Sequence, residues 1–209
     1  PEARHYYAFQ EAIEAVHSET YSLMIDVLLK DHAEKMRAFH AITEIPSIRR
    51  MSEWALQYLD PSRNPFNVRL LAFALFEGVG FSGSFAAIFF FKQKGRMPAL
   101  VESNLYISAD ESSHQNFGVL LHSHLKDKVS HDVFLRMMTE FVAIVETFVC
   151  DALDVSLIGM NKDLMAQYIR FTADRLLVSL GWAKHYQVEN PFGWIETIGV
   201  SNKTNFFER

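Results

Sequence analysis

The sequence predicts an all-α fold built from a few long helices, and three observations predict it. Apolar residues recur at three- and four-residue spacing through most of the 209 positions. Helix breakers are scarce, with 9 Gly and 6 Pro, and they sit mainly between the periodic stretches. No block shows the strict alternation of a half-buried strand, and there is no tandem repeat or low-complexity tract. A chain that is 49% hydrophobic and 22% charged buries a large core and is not disordered by composition. Its length suggests one domain.

The expected helices follow in order. The first helix is expected over residues 2–29, opened by Pro1, whose missing N–H costs nothing at a helix start. Shorter helices over 31–43 and 47–58 are separated by Pro46. Residues 60–65, Asp-Pro-Ser-Arg-Asn-Pro, form a turn by composition. A long helix is expected over 65–92. Gly95 closes it and Pro98 starts the next, over 98–125. Helices over 130–155 and 162–187 complete the set. Residues 1–195 then make up the helical domain, and 196–209 an irregular tail.

A net charge of −5 argues against a general nucleic-acid binder, which shows a basic face. One cysteine, Cys150, excludes an intrachain disulfide and fits a reducing compartment, with a cytoplasmic location expected. No basic segment followed by an apolar run opens the chain, so no leader is expected, and the start at Pro1 reads as a fragment of a longer protein. Residues 70–91 carry a single charge over 22 positions, long enough to cross a membrane. Glu77 near its middle would be costly in lipid, and no second such run exists, so a buried soluble helix is the expected reading.

Glu-x-x-His pairs are the informative motif. Fifteen Glu and 9 His predict roughly 0.6 such pairs by chance, and the chain has three. Residues three apart on a helix share a face, so each pair aims a carboxylate and an imidazole at one point. Glu2–His5 and Glu14–His17 fall on one helix about 120° apart, so both cannot serve one centre. Glu14 and His17 share an apolar stripe with Ile13, Tyr21, Met24 and Leu28, whereas His5 sits among Arg4, Tyr6 and Tyr7. Glu2–His5 is therefore taken as the chance pair. Glu111–His114 is the third, 97 residues beyond Glu14–His17. Glu77 lies among Leu75, Phe76, Val79 and Phe81, where an unpaired carboxylate is expensive. A lone Glu or His on a helix is usually structural or solvated, and Asp110 and Ser112 give Glu111 a polar setting. Together, though, Glu14, His17, Glu77, Glu111 and His114 supply five of the six ligands of a helical dinuclear carboxylate site. Such a donor set suits iron or manganese.

Tyr21 shares the face of His17 and Glu14. A phenol there either loses an electron and a proton to a redox metal pair, or is a core Tyr hydrogen-bonded to a ligand carboxylate. Phe81 and Phe85, four and eight residues after Glu77, and Ile107, four before Glu111, can line a dry pocket; plain core is the alternative. Small residues at 78, 80 and 82–84 permit close packing or a local bulge. Asp110 can accept the second N–H of a ligand histidine.

The segments Glu14–Ser22, Phe76–Phe85, Ile107–His114, Ala173–Leu177 and Lys203–Glu208 resemble the small subunit of class I ribonucleotide reductase of the eukaryotic type. The resemblance spans essentially the whole chain. It implies a ferritin-like bundle, a homodimer, and two irons that react with O2 to oxidise Tyr21 to a radical. It implies a large-subunit partner that uses the radical to reduce ribonucleotides to deoxyribonucleotides. It assigns Glu14, His17, Glu77, Glu111 and His114 as metal ligands, Asp110 as the carboxylate joining a ligand histidine, His17, to the transfer path, and Phe81, Phe85 and Ile107 as the radical pocket. The family's sixth ligand, an Asp, and the Trp that Asp110 would meet are expected before Pro1, and the docking end after Arg209. Ala109 stands where many relatives carry Arg. A ferritin-like iron oxidase or storage protein, and a regulatory paralogue without a radical, are the alternatives.

Overall fold

A computed structural model describes residues 1–152, 156–157 and 159–195. The chain divides into two compact units, Pro1–Arg49 and Arg50–Arg209. Strands are confined, among the described residues, to the two-residue pair β1 (Ser156–Leu157) and β2 (Met160–Asn161), antiparallel.

The first unit holds α1 (Glu2–Leu28), α2 (His32–Phe39) and α3 (Ala41–Glu44). Asp31 caps α2 by accepting the Glu34 N–H at 2.9 Å. The Lys35 ammonium lies 2.5 Å from the Asp26 carboxylate, tying α2 back to the end of α1 and holding the Asp26 carboxyl below its usual range. The expected helix over 31–43 breaks at His40, whose Nδ1 sits 2.8 Å from the Met36 carbonyl and whose ψ of 23° departs from the helix.

The second unit takes most of α4 (Pro46–Leu59), then α5 (Phe66–Leu75), a π-helical turn (Phe76–Gly80), α6 (Ser82–Gln93), α7 (Pro98–His124), α8 (His131–Ala152) and α9 (Lys162–Ser179). The expected single helix over 65–92 is thus two α-helices joined by a π turn. That turn is the hub of the unit, touching α5, α6, α7, α8 and α9. The small residues explain the closeness. A Cβ on Gly80 would lie 3.2 Å from the Phe141 ring, and one on Gly83 would lie 2.5 Å from a Val149 methyl. Leu71, Leu75, Val79, Phe134, Phe141 and Ile169 are fully buried around it, each worth about 1.5–3 kcal/mol of burial. Of the apolar run that could cross a membrane, 61% of its most apolar window is buried inside the protein, as a core helix would be.

Two helix ends share one device. After α6, the Arg96 N–H reaches the Phe91 carbonyl at 2.9 Å and the Gly95 N–H the Lys92 carbonyl at 3.0 Å, with Gly95 at φ +63°. After α9, Trp182 N–H to Leu177 carbonyl (2.9 Å) and Gly181 N–H to Val178 carbonyl (3.0 Å), with Gly181 at φ +82°, repeat the pattern. The helix expected over 162–187 therefore ends at Ser179. The fully buried Asp174 carboxylate then accepts the backbone N–H groups of His185, Tyr186 and Gln187 at 2.7–2.9 Å, stapling the chain after α9 onto that helix. The expected tail over 196–209 lies outside the described residues.

Candidate metal centre

In the second unit, the π turn and α7 place three ligand candidates together. Glu111 and His114 sit one turn apart on α7, with His114 Nδ1 3.2 Å from a Glu111 carboxylate oxygen. Glu77, on the π turn, brings an oxygen to 3.8 Å from the same nitrogen. One ligand atom of each of the three lies within 4.8 Å of the others, and all three residues are at most 8% exposed. Two carboxylates and an imidazole at this separation, withdrawn from water, are the donor set of a hard or borderline divalent cation. Nδ1 is the nitrogen on the carboxylate side, which leaves Nε2 for a second partner.

In the first unit, α1 carries a second pair of the same kind. His17 Nδ1 lies 3.4 Å from a Glu14 carboxylate oxygen, again through i, i+3 spacing and again with Nδ1 on the carboxylate side. His17 is buried and Glu14 half-buried; Tyr21, one turn further, is half-buried. Glu2 and His5 are both exposed, in keeping with a chance pair.

The expected pocket residues have these places. Phe81 is half-buried and meets the Phe76 ring edge-on at 5.2 Å. Phe85 stacks on Phe89 at 6.1 Å, in a small cluster with Val101 and Leu105. Ile107 is buried on α7, four residues before Glu111. Counting four and eight residues from Glu77 assumes unbroken α periodicity, which the π turn interrupts by one position. Asp110 is half-buried beside Glu111. Cys150, pushed up by burial, stays a thiol rather than a nucleophile at neutral pH.

One residue of this face escaped the sequence reading. Gln10 is 5% exposed, and neither atom of its amide has a hydrogen-bond partner among the described residues. It precedes Glu14 by four positions, so Gln10, Glu14, His17 and Tyr21 form one i, i+4, i+7, i+11 series. A polar residue extending the ligand stripe by one turn was the available signal.

Comparison with known proteins places this geometry. The family profile described as Ribonucleotide reductase, small chain matches residues 1–191. The ribonucleoside-diphosphate reductase small chain 1 of Saccharomyces cerevisiae is 50% identical over 209 residues, covering all of this chain and 52% of that protein. The ribonucleoside-diphosphate reductase small chain of Schizosaccharomyces pombe is 49% identical over 209 residues, covering 100% of this sequence and 54% of that one. This protein thus spans about half the length of these curated relatives. Among solved structures, the ribonucleotide reductase Rnr4 homodimer of Saccharomyces cerevisiae superposes with a TM-score of 0.84 at 30% identity, over 97% of this chain and 66% of that one. The R2 subunit from Clostridium botulinum, at 19% identity and a TM-score of 0.79 over 90% of this chain and 64% of that one, shares the fold. The expected all-α, ferritin-like fold class is that of these structures.

Proposed function

This chain belongs to the ribonucleotide reductase small-chain family, and from that premise we propose that it is the radical-generating part of a ribonucleoside-diphosphate reductase. The observation that carries the proposal is the buried Glu77–Glu111–His114 cluster, a donor set with no structural need for two carboxylates in an apolar core. Glu14 and His17 would bring the ligands of a two-metal centre to five. Iron is the metal proposed, with manganese suited by the same donors. The metal pair, when bound, supplies the one-electron oxidising chemistry in its reaction with O2. Tyr21 would give up one electron to that oxidised pair and its phenolic proton to the water that O2 becomes, leaving the neutral radical. Phe81, Phe85 and Ile107 exclude water and reductants from it. Asp110 would serve as the carboxylate that joins a ligand histidine to the transfer path, with His17 as the histidine proposed. The large subunit uses the radical to reduce ribonucleotides. Residues 1–195 would form the ferritin-like domain, with residues 196–209 as its tail, and the subunit would act as a cytoplasmic homodimer.

The test is to load the full-length protein with ferrous iron, admit O2 and record its electron paramagnetic resonance spectrum. A tyrosyl signal is expected, absent in Tyr21→Phe. A signal that survives the substitution refutes the assignment. Iron oxidation with no radical in the wild type favours an iron oxidase or storage protein of the same fold.

A further inference from the structure

An aromatic column runs from the π turn to the surface of the second unit, and nothing in the proposed chemistry uses it. Phe76, the residue before Glu77, lies 5.5 Å ring to ring from Phe141 on α8. Phe141 lies 4.1 Å from Trp54 on α4, at 30° between planes. Trp54 lies 4.6 Å from Tyr58, one helical turn further along α4. The column ends where the Tyr58 hydroxyl donates a 2.8 Å hydrogen bond to the carboxylate of Glu140, an exposed residue of α8.

The two ends differ in chemistry as well as position. Phe76 and Phe141 are benzene rings, too hard to oxidise to act as stations, but their contacts close the gap between Glu77 and Trp54. Trp54 is 3% exposed and its indole N–H has no hydrogen-bond partner among the described residues. Once oxidised by one electron it therefore has nowhere to send its proton. Tyr58 has what Trp54 lacks: a carboxylate already in place to take the phenolic proton.

We propose that Trp54 and Tyr58 form a second redox site, which discharges oxidising equivalents that do not reach Tyr21. This rests on the metal-centre reading above. With an O2-oxidised metal pair as the oxidant, Trp54 would give up one electron across Phe76 and Phe141. Tyr58 returns that electron to Trp54 and passes its proton to Glu140. The products are a neutral indole, a neutral tyrosyl radical and a protonated Glu140. A thiol reductant in solution then restores Tyr58 by supplying one electron and one proton. Glu140 releases its proton to water.

Two experiments on the full-length protein test the column. The first needs no metal: azide radicals made by pulse radiolysis oxidise tryptophans of the apoprotein, and absorbance follows transfer from Trp to Tyr. A fast transfer phase is expected. It should be absent in Trp54→Phe and in Tyr58→Phe, and slowed about tenfold or more in Glu140→Gln, which removes one charge-assisted proton acceptor. The second loads iron and O2 into Tyr21→Phe and freezes the sample within a second. A Tyr58 radical is expected, replaced by a Trp54 radical in Tyr21→Phe/Tyr58→Phe. A transfer phase indifferent to both Tyr58→Phe and Trp54→Phe overturns the proposal, as does a frozen spectrum that Tyr58→Phe leaves unchanged. A wild-type protein that forms no radical on Tyr21 refutes the metal-centre reading instead, and the metal-free experiment still decides the Trp54–Tyr58 step.

Discussion

Replacing Glu77 by Gln separates a metal ligand from a structural carboxylate. Glu77 has two charged neighbours in the second unit, and their effects oppose each other. At an effective dielectric constant near 20, a Glu111 oxygen within 4.8 Å repels it by about 3.5 kcal/mol or more, and a protonated His114 at 3.8 Å attracts it by about 4.4 kcal/mol. The two nearly cancel, and a neutral His114 leaves only the repulsion. The amide is also cheaper to bury than the carboxylate. Glu77→Gln should therefore leave the metal-free protein as stable as the wild type within about 1 kcal/mol, or more stable. The metal-dependent part behaves differently. Free metal at a hundred times its dissociation constant stabilises the folded protein by about 2.7 kcal/mol. For a chain of this size that is a Tm rise of roughly 5–10 °C. Thermal unfolding with and without anaerobic ferrous iron or manganese reads both quantities in one series. The expected result is an unchanged or raised metal-free Tm and a metal-induced rise cut to less than half. A variant that keeps the full rise, or one that loses several degrees without metal, refutes the reasoning.

Three further outcomes are expected. Asp174→Asn puts an NH2 where a carboxylate oxygen accepts a backbone N–H, which costs about 2–3 kcal/mol; urea unfolding should show it, with faster hydrogen exchange at residues 185–187. Gln10→Leu removes a buried, unpartnered amide, so the metal-free Tm should hold or rise, while the metal-induced rise should shrink if the amide serves a metal-bound group. Burial holds the His122 imidazole below its ordinary range, so the folded state favours the neutral ring; its contribution to stability is full above about pH 6.5 and is lost as the pH falls. Comparing unfolding at pH 7.5 and 5.5, His122→Leu should lose less stability than the wild type.

Helix phase made most of the proposed metal site legible. A ligand pair on one helix needs only i, i+3 spacing, so Glu14–His17 and Glu111–His114 were readable without knowing how the helices pack, and the same phase removed Glu2–His5. Glu77 was readable because a carboxylate in an apolar run demands a partner. The misses have physical causes. Residues 180–187 carry nothing that forbids a helix except Gly181, and a single glycine is a weaker stop than the Gly95–Pro98 pair that ends α6. The force that carries the chain away after α9, three N–H groups collected by Asp174, acts across 11–13 residues and leaves no periodic trace. Gln10 was overlooked because an amide is a poor ligand, although its position on the stripe was plain.

The π turn gives the second unit a consequence beyond holding Glu77. Its extra residue offsets α6 from α5 by about 100° of rotation. Removing a single residue from Phe76–Gly80 would let the run heal into one regular helix. Every side chain from Ser82 to Gln93 would then turn by that angle, and the small residues that admit Val149 would trade places with bulky ones. A deletion there is therefore equivalent to re-facing the whole of α6 at once. Selection can vary the rings of α6 one by one, but the length of the turn is fixed by all of them together.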